Sequence, residues 1–115
     1  MSISSFKELV VWQKSVDIAI NVYELTKQLP SSEQYGLISQ MNRSAVSIAS
    51  NIAEGQQRNN RAEFRQFIGI AKGSAAELET QLIIANRVYA IEILNTVKEL
   101  EEVQKMLTSL SGKLK

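Results

Sequence analysis

The chain predicts an all-α fold, an antiparallel up-down-up-down four-helix bundle, and three observations predict it. One proline and five glycines among 115 residues leave few places for turns. Four stretches carry apolar residues at spacings of three and four, the period of a helix with one buried face. The links between those stretches are short, which folds each helix back beside the one before it. At this length we expect one domain, residues 1–115. Its content of 44% hydrophobic and 22% charged residues is that of a folded globular chain.

The first helix is expected at Ser5-Phe6-Lys7-Glu8, which has the Ser-x-x-Glu form of a capping box. Two apolar stripes follow, one through Leu9, Trp12, Val16, Ile20 and Tyr23, the other through Ile18, Val22, Leu25 and Leu29. Gln13, Asp17, Asn21, Glu24 and Gln28 make a polar stripe. So wide an apolar arc predicts either a central position for this helix or a contact between subunits. Pro30 stops it, because a proline disfavours helical geometry in the residue before it.

Ser31 to Gln34 offers a second capping box, opening a helix with Leu37, Met41, Ala45, Ile48 and Ile52 on one face. Ser44, Ser47, Ser50 and Asn51 lie beside that stripe and suit close helix packing, with hydroxyls bonded back to the backbone. The helix is expected to end at Gly55, in the left-handed conformation that glycine adopts without a Cβ penalty. Gln56 to Asn60 then reads as a surface loop. Asn60-Arg61-Ala62-Glu63 is a third capping box, ahead of a helix carrying Phe64, Phe67, Ala71, Ala75, Leu78, Leu82 and Ala85. Within it Gly69 and Gly73 predict close backbone approach between helices, at about 1 kcal/mol per glycine relative to alanine. No glycine or proline marks the next turn, placed near Ala90. The last helix carries Ile93, Val97, Leu100, Val103, Leu107, Leu110 and Leu114, with Lys98, Glu99, Glu101, Glu102 and Lys105 as its solvated face.

Composition also narrows the chemistry. The chain has no Cys and no His, so disulfides, thiolate sites and histidine general bases are excluded, along with the Glu-x-x-His pairs of di-iron bundles. Glu77 and Glu79 point to different faces of the third helix. We therefore expect no enzyme, no catalytic residues, no metal site and no cofactor. The longest apolar runs, such as Leu9-Val10-Val11-Trp12, are four residues, far short of a membrane span. A cytoplasmic protein is expected.

The residues left for function are basic. Arg58, Arg61, Arg65 and Lys72 fall in the loop and first turns of the third helix, the last three on one face. Residues 55–90 carry five basic and three acidic groups, whereas the chain as a whole is at +1. Two readings stay open: a solvated surface, or a patch that contacts the phosphates of RNA or DNA. No aromatic is placed among these arginines to stack on bases. Arg43 and Glu54, eleven residues apart and so about 16 Å along one helix, cannot pair with each other. Arg43 is expected to pair with Glu77 across the hairpin, or to meet a neighbouring subunit.

Phe6-Lys7-Glu8-Leu9-Val10-Val11-Trp12-Gln13-Lys14, Tyr35-Gly36-Leu37, Arg43-Ser44-Ala45-Val46-Ser47-Ile48, Ser50-Asn51-Ile52-Ala53-Glu54-Gly55, Glu63-Phe64 and Gly73-Ser74-x-x-Glu77-Leu78-Glu79-Thr80-Gln81-Leu82 together resemble the four-helix-bundle family encoded in intervening sequences of bacterial 23S ribosomal RNA genes. The chain departs from that family at Ala49, where proline is frequent, and at Gln56-Gln57, where a glycine often precedes the arginine. Both changes favour a longer or straighter end to the second helix. The resemblance implies a ring-shaped homo-oligomer, typically a pentamer, and makes Trp12, Arg43, Ser50, Asn51, Glu54, Gly55 and Glu77 structural or interface positions. It extends to the accessory proteins of diversity-generating retroelements, which bind nucleic acid and a reverse transcriptase. The function expected is a non-enzymatic, nucleic-acid-associated bundle. The alternative is a protein-interaction scaffold or an accessory subunit of a reverse transcriptase.

Overall fold

The structure, a computed structural model, describes residues 5–115. Four helices, α1 (Val10–Thr26), α2 (Leu37–Gln56), α3 (Arg61–Tyr89) and α4 (Leu94–Lys113), account for most of it, with short 3-10 turns at Phe6–Glu8 and Ser31–Glu33. The molecule measures 46 × 23 × 19 Å. At 1.5 Å per residue the 29 residues of α3 come to about 44 Å, so α3 runs the length of the bundle.

Each helix packs on two neighbours, α1 on α2 and α4, α3 on α2 and α4, while the diagonal pairs stay apart. Residue pairs fix the registers. Lys14 meets Glu102 and Asn21 meets Glu99 between α1 and α4, while Arg61 meets Lys113 and Glu79 meets Gln104 between α3 and α4. In each case the later residue on one helix meets the earlier residue on the other. The Lys14–Glu102 contact also raises the lysine pKa, chiefly through the hydrogen bond to the carboxylate.

The core follows the expected stripes except on α3, where Ile68 is wholly buried in it and Phe67, expected there, stays half-buried outside it. Ile18, Val22, Met41, Ala45, Ile48, Ile52, Ala71, Ala75, Leu78, Leu82, Ala85, Leu100, Val103 and Leu107 are buried together. The interface between α2 and α3 is the most extensive, because small residues face each other across it. Ala45, Ala71 and Ala75 are wholly buried there, and the Ser47 and Ser74 hydroxyls lie 2.9 Å apart. Asn51 donates its side-chain amide to the Ser47 carbonyl and hydroxyl, at 2.8 and 2.9 Å.

The helix ends differ from expectation in instructive ways. Ser5 accepts from the Lys7 amide at 3.2 Å and caps only the 3-10 turn; α1 begins later, with extended Leu9 as its cap. Ser31 likewise opens a 3-10 turn, and α2 starts after Gly36. A Glu33 carboxylate oxygen accepts from the Leu37 amide there. The third box holds in part: Asn60 accepts from the Glu63 amide at 3.0 Å and caps α3. Ala90 ends α3 in the left-handed conformation, φ 58°, where an L-residue is strained by roughly 1–2 kcal/mol. Its amide donates to the Asn86 carbonyl, and the Asn86 side chain reaches the Ile91 carbonyl, so two hydrogen bonds hold the turn.

Gly55 is the main correction. No described glycine has positive φ, and α2 continues through Gln56 to a right-handed cap at Gln57. Gly55 is buried because α3 crosses it closely: a Cβ there would stand 2.7 Å from the Phe67 Cβ and 3.0 Å from the Phe64 ring. Gly69 and Gly73, in contrast, have nothing within 4 Å of where a Cβ would stand. The close approach expected of that pair is therefore absent, and they lie on the open outer face of α3.

Candidate nucleic-acid interface

Arg58, Arg61 and Arg65 lie where α2 turns into α3, a corner set by the packing at Gly55, and Lys72 lies about 16 Å along α3 from Arg61. With Gly55 against Phe64 and Phe67, the Phe67 ring is held at the surface, and the Arg58 guanidinium lies 4.9 Å from its centroid. That is a cation–π distance. An aromatic does therefore accompany these arginines, and its occupied face serves to place Arg58.

Arg61, the first residue of α3, donates through Nη2 to the Lys113 carbonyl at the end of α4. A cation there complements the negative end of the α4 dipole. One of the five guanidinium donors is engaged, and the others remain for an anion. Arg65 is exposed and Lys72 half-buried. Among the described residues the ion pairs are Lys14–Glu102 and Lys27–Glu24, so none of the four basic residues is neutralised by a carboxylate. A hundred degrees per residue puts Arg61, Arg65 and Lys72 on the edge of α3 that faces α4. Glu79, held by Gln104 at 3.1 Å, closes that edge on the far side.

The remaining positions fall into two other places. Trp12 meets Phe6 edge-on, with centroids 5.2 Å apart, and its other side enters an apolar groove of about 440 Å³ between α1 and α2. Val16, Ile20, Tyr23, Val46, Ala49 and Ser50 share the groove. Ile20, Tyr23 and Val46 are 57%, 48% and 42% exposed. The wide apolar arc of the first helix thus leaves one stripe open, and the helix is not central. Ser50 and Glu54 reach a neighbouring hollow beside Phe6. Arg43 and Glu77 do not form the expected ion pair. They face one polar cleft between α2 and α3 with Tyr35, Ser39, Ser44 and Gln81. Gln81, which periodicity alone does not single out, is buried there with an unpartnered carbonyl oxygen.

Among the described residues no cluster of three or more acidic groups could hold a metal ion. Nor is any helix long and apolar enough to cross a membrane.

Comparison with known proteins agrees with the layout. Residues 7–109 match the model of the 23S rRNA-intervening sequence protein family. A crystal structure of a protein of unknown function from the S23 ribosomal protein family of Bacteroides thetaiotaomicron is similar with a TM-score of 0.79. It is 31% identical, over 90% of this chain and 96% of that one. No curated protein matches the sequence. On the family match and the four-helix structure together, the chain belongs to the 23S rRNA-intervening sequence protein family.

Proposed function

We propose that this chain is a non-catalytic, homo-oligomeric bundle of the cytoplasm that binds RNA or DNA through Arg58, Arg61, Arg65 and Lys72. The observation that carries the reading is a set of four cations on one corner and edge of α3 with no carboxylate partner among the described residues. A run of such cations attracts phosphates by charge and releases their counterions. The net charge of +1 limits what one copy can do, and repetition around a ring, a pentamer on the family pattern, multiplies the local field. The apolar groove between α1 and α2 supplies a surface for contact between copies.

The same groove favours a second reading, a scaffold or reverse-transcriptase accessory subunit that takes a protein partner through its apolar face. Labelled structured RNA and duplex DNA, titrated at low salt and read by fluorescence anisotropy, separate the two. Binding by the native protein that is lost in R58E/R65E/K72E, with helicity retained, is the expected result. Arg61 is left intact in that variant because reversing it would also break the bond to Lys113. Absence of binding by the native protein would overturn the nucleic-acid reading and favour the scaffold.

A further inference from the structure

The polar cleft between α2 and α3 holds polar groups that the fold leaves without partners among the described residues. Glutamine amides buried in a bundle are normally satisfied, because an unpaired acceptor loses its water without gaining a partner. Gln81 is only 9% exposed, and its Oε1 is buried with no hydrogen-bond partner among the described residues. It lines a cleft of about 390 Å³ whose wall also carries Arg43 and Glu77. Neither of these two is ion-paired or hydrogen-bonded among the described residues. Tyr35, at the cleft mouth, is 95% exposed. A guanidinium on α2 and a carboxylate and an amide of unused capacity on α3 thus line one cleft, with an open aromatic ring beside them.

Donors and acceptors in that number, at zero net charge, fit a flat polar edge better than an ion. Such an edge belongs to an unpaired nucleobase, which proteins recognise by stacking on an aromatic ring and hydrogen-bonding to the base edge. Among the bases guanine matches best. Its N1–H and N2 amino group are adjacent donors for a carboxylate, and its O6 and N7 are acceptors for a guanidinium. We propose that the cleft is a subsite for an unpaired guanine, with Glu77 accepting from N1 and N2, Arg43 donating to the O6 side, and Tyr35 as the stacking ring. Gln81 takes the remaining polar atom by turning its amide, whose two ends have opposite hydrogen-bonding character.

This inference deepens the nucleic-acid reading and rests on it. The cleft and the basic edge lie on opposite sides of α3, and the outer face between them carries Gly69 and Gly73. With no side chain at either position and nothing within 4 Å of where a Cβ would stand, that face lets a strand pass close to the helix.

The test uses labelled single-stranded ribonucleotide heptamers, all adenine or adenine with one central guanine, titrated by anisotropy against the native protein, E77Q and R58E/R65E/K72E. We expect the single guanine to tighten binding by about tenfold or more, the discrimination of a good bidentate contact. In E77Q that preference is lost while salt dependence stays. In the charge-reversal variant both strands weaken together. Guanosine monophosphate competes and adenosine monophosphate does not, the mononucleotide more weakly than the strand because it lacks neighbouring phosphates. Equal affinity of the native protein for the two strands overturns the guanine site and leaves the basic edge standing. A guanine preference unchanged in E77Q overturns its location. Failure to bind either strand at low salt overturns the guanine site, and the nucleic-acid reading falls with it when structured RNA and duplex DNA also fail to bind. If there is no guanine preference and E77Q instead changes the sedimentation of the protein, the cleft is a contact between copies and the proposal falls.

Discussion

At the scale of single residues, the glycines show how one residue type does different work according to what stands beside it. At Gly55 the absent Cβ lets α3 seat Phe64 and Phe67 against the end of α2, and that seating places Phe67 beneath Arg58. Gly55→Ala is therefore expected to destabilise the fold by about 1–3 kcal/mol, the usual range for overpacking. Gly69→Ala, in open space within a helix, should stabilise it by up to about 1 kcal/mol by restoring helix propensity. Urea unfolding of the two variants checks both signs. The sequence marks Gly55 as special but not why, since a glycine near a helix end serves equally as a left-handed cap or as a point of close approach. Only the position of α3 decides, and that is a tertiary fact. Gly69 and Gly73 fail as predictors for the same reason: their spacing shows which helix face is smooth and not what faces it.

At the scale of elements, interiors of helices were more legible than their ends. The stripes through α2 and α4 are the buried faces seen in the core, and that through α3 is too once Ile68 replaces Phe67, because one-sided burial writes its period directly into the order of residues. Ends depend on competition between local hydrogen bonds. Both early serine boxes nucleate 3-10 turns, and the helices start several residues later. The Ser31–Glu33 turn is tied down by Glu33, which accepts from the Leu37 amide and from the Tyr89 hydroxyl at the far end of α3. The Tyr89 bond, followed by the Leu37 amide, holds the Glu33 carboxyl below its ordinary value of 4.5. The same bond, followed by burial, raises Tyr89 above 10.0.

The signs of the resulting pH dependence follow from linkage. A carboxyl with a lowered folded pKa adds stability above 4.5, and that stability is lost as pH falls through the folded value. A phenol with a raised folded pKa adds stability that is full below 10.0 and is lost as pH rises through the folded value. Glu33→Gln should lower stability at neutral pH and flatten the acid and alkaline limbs together, as measured by urea midpoints across pH. Unchanged limbs would mean that this tie does not hold the turn. No sequence spacing announces a contact between residues 33 and 89, which comes from the return of α3 to the start of α2.

At the scale of the whole molecule, the fold sorts the family motif into three surfaces that lie scattered in sequence. Gly55 underlies the basic corner, Trp12 and Ser50 line the apolar groove, and Arg43 and Glu77 the polar cleft. The basic cluster was legible because its members are close in sequence. The cleft was half legible, since Arg43 and Glu77 are polar residues on facing helices, but Gln81 shows its significance only through burial. The groove should mediate self-association. Ile20→Glu, at a 57% exposed position, is expected to leave helicity intact and to shift sedimentation to smaller species. An unchanged sedimentation profile would mean that the groove does not join copies of the chain.

The nucleic-acid role turns most directly on whether Arg58, Arg65 and Lys72, none of them paired with a carboxylate among the described residues, meet phosphates. The measurement is the slope of log binding constant against log salt for labelled RNA and duplex DNA, where each phosphate neutralised on duplex DNA contributes about −0.9. A steep slope for the native protein that becomes shallow in R58E/R65E/K72E is the predicted result. A flat slope for the native protein, or one that the triple reversal leaves unchanged, would contradict it.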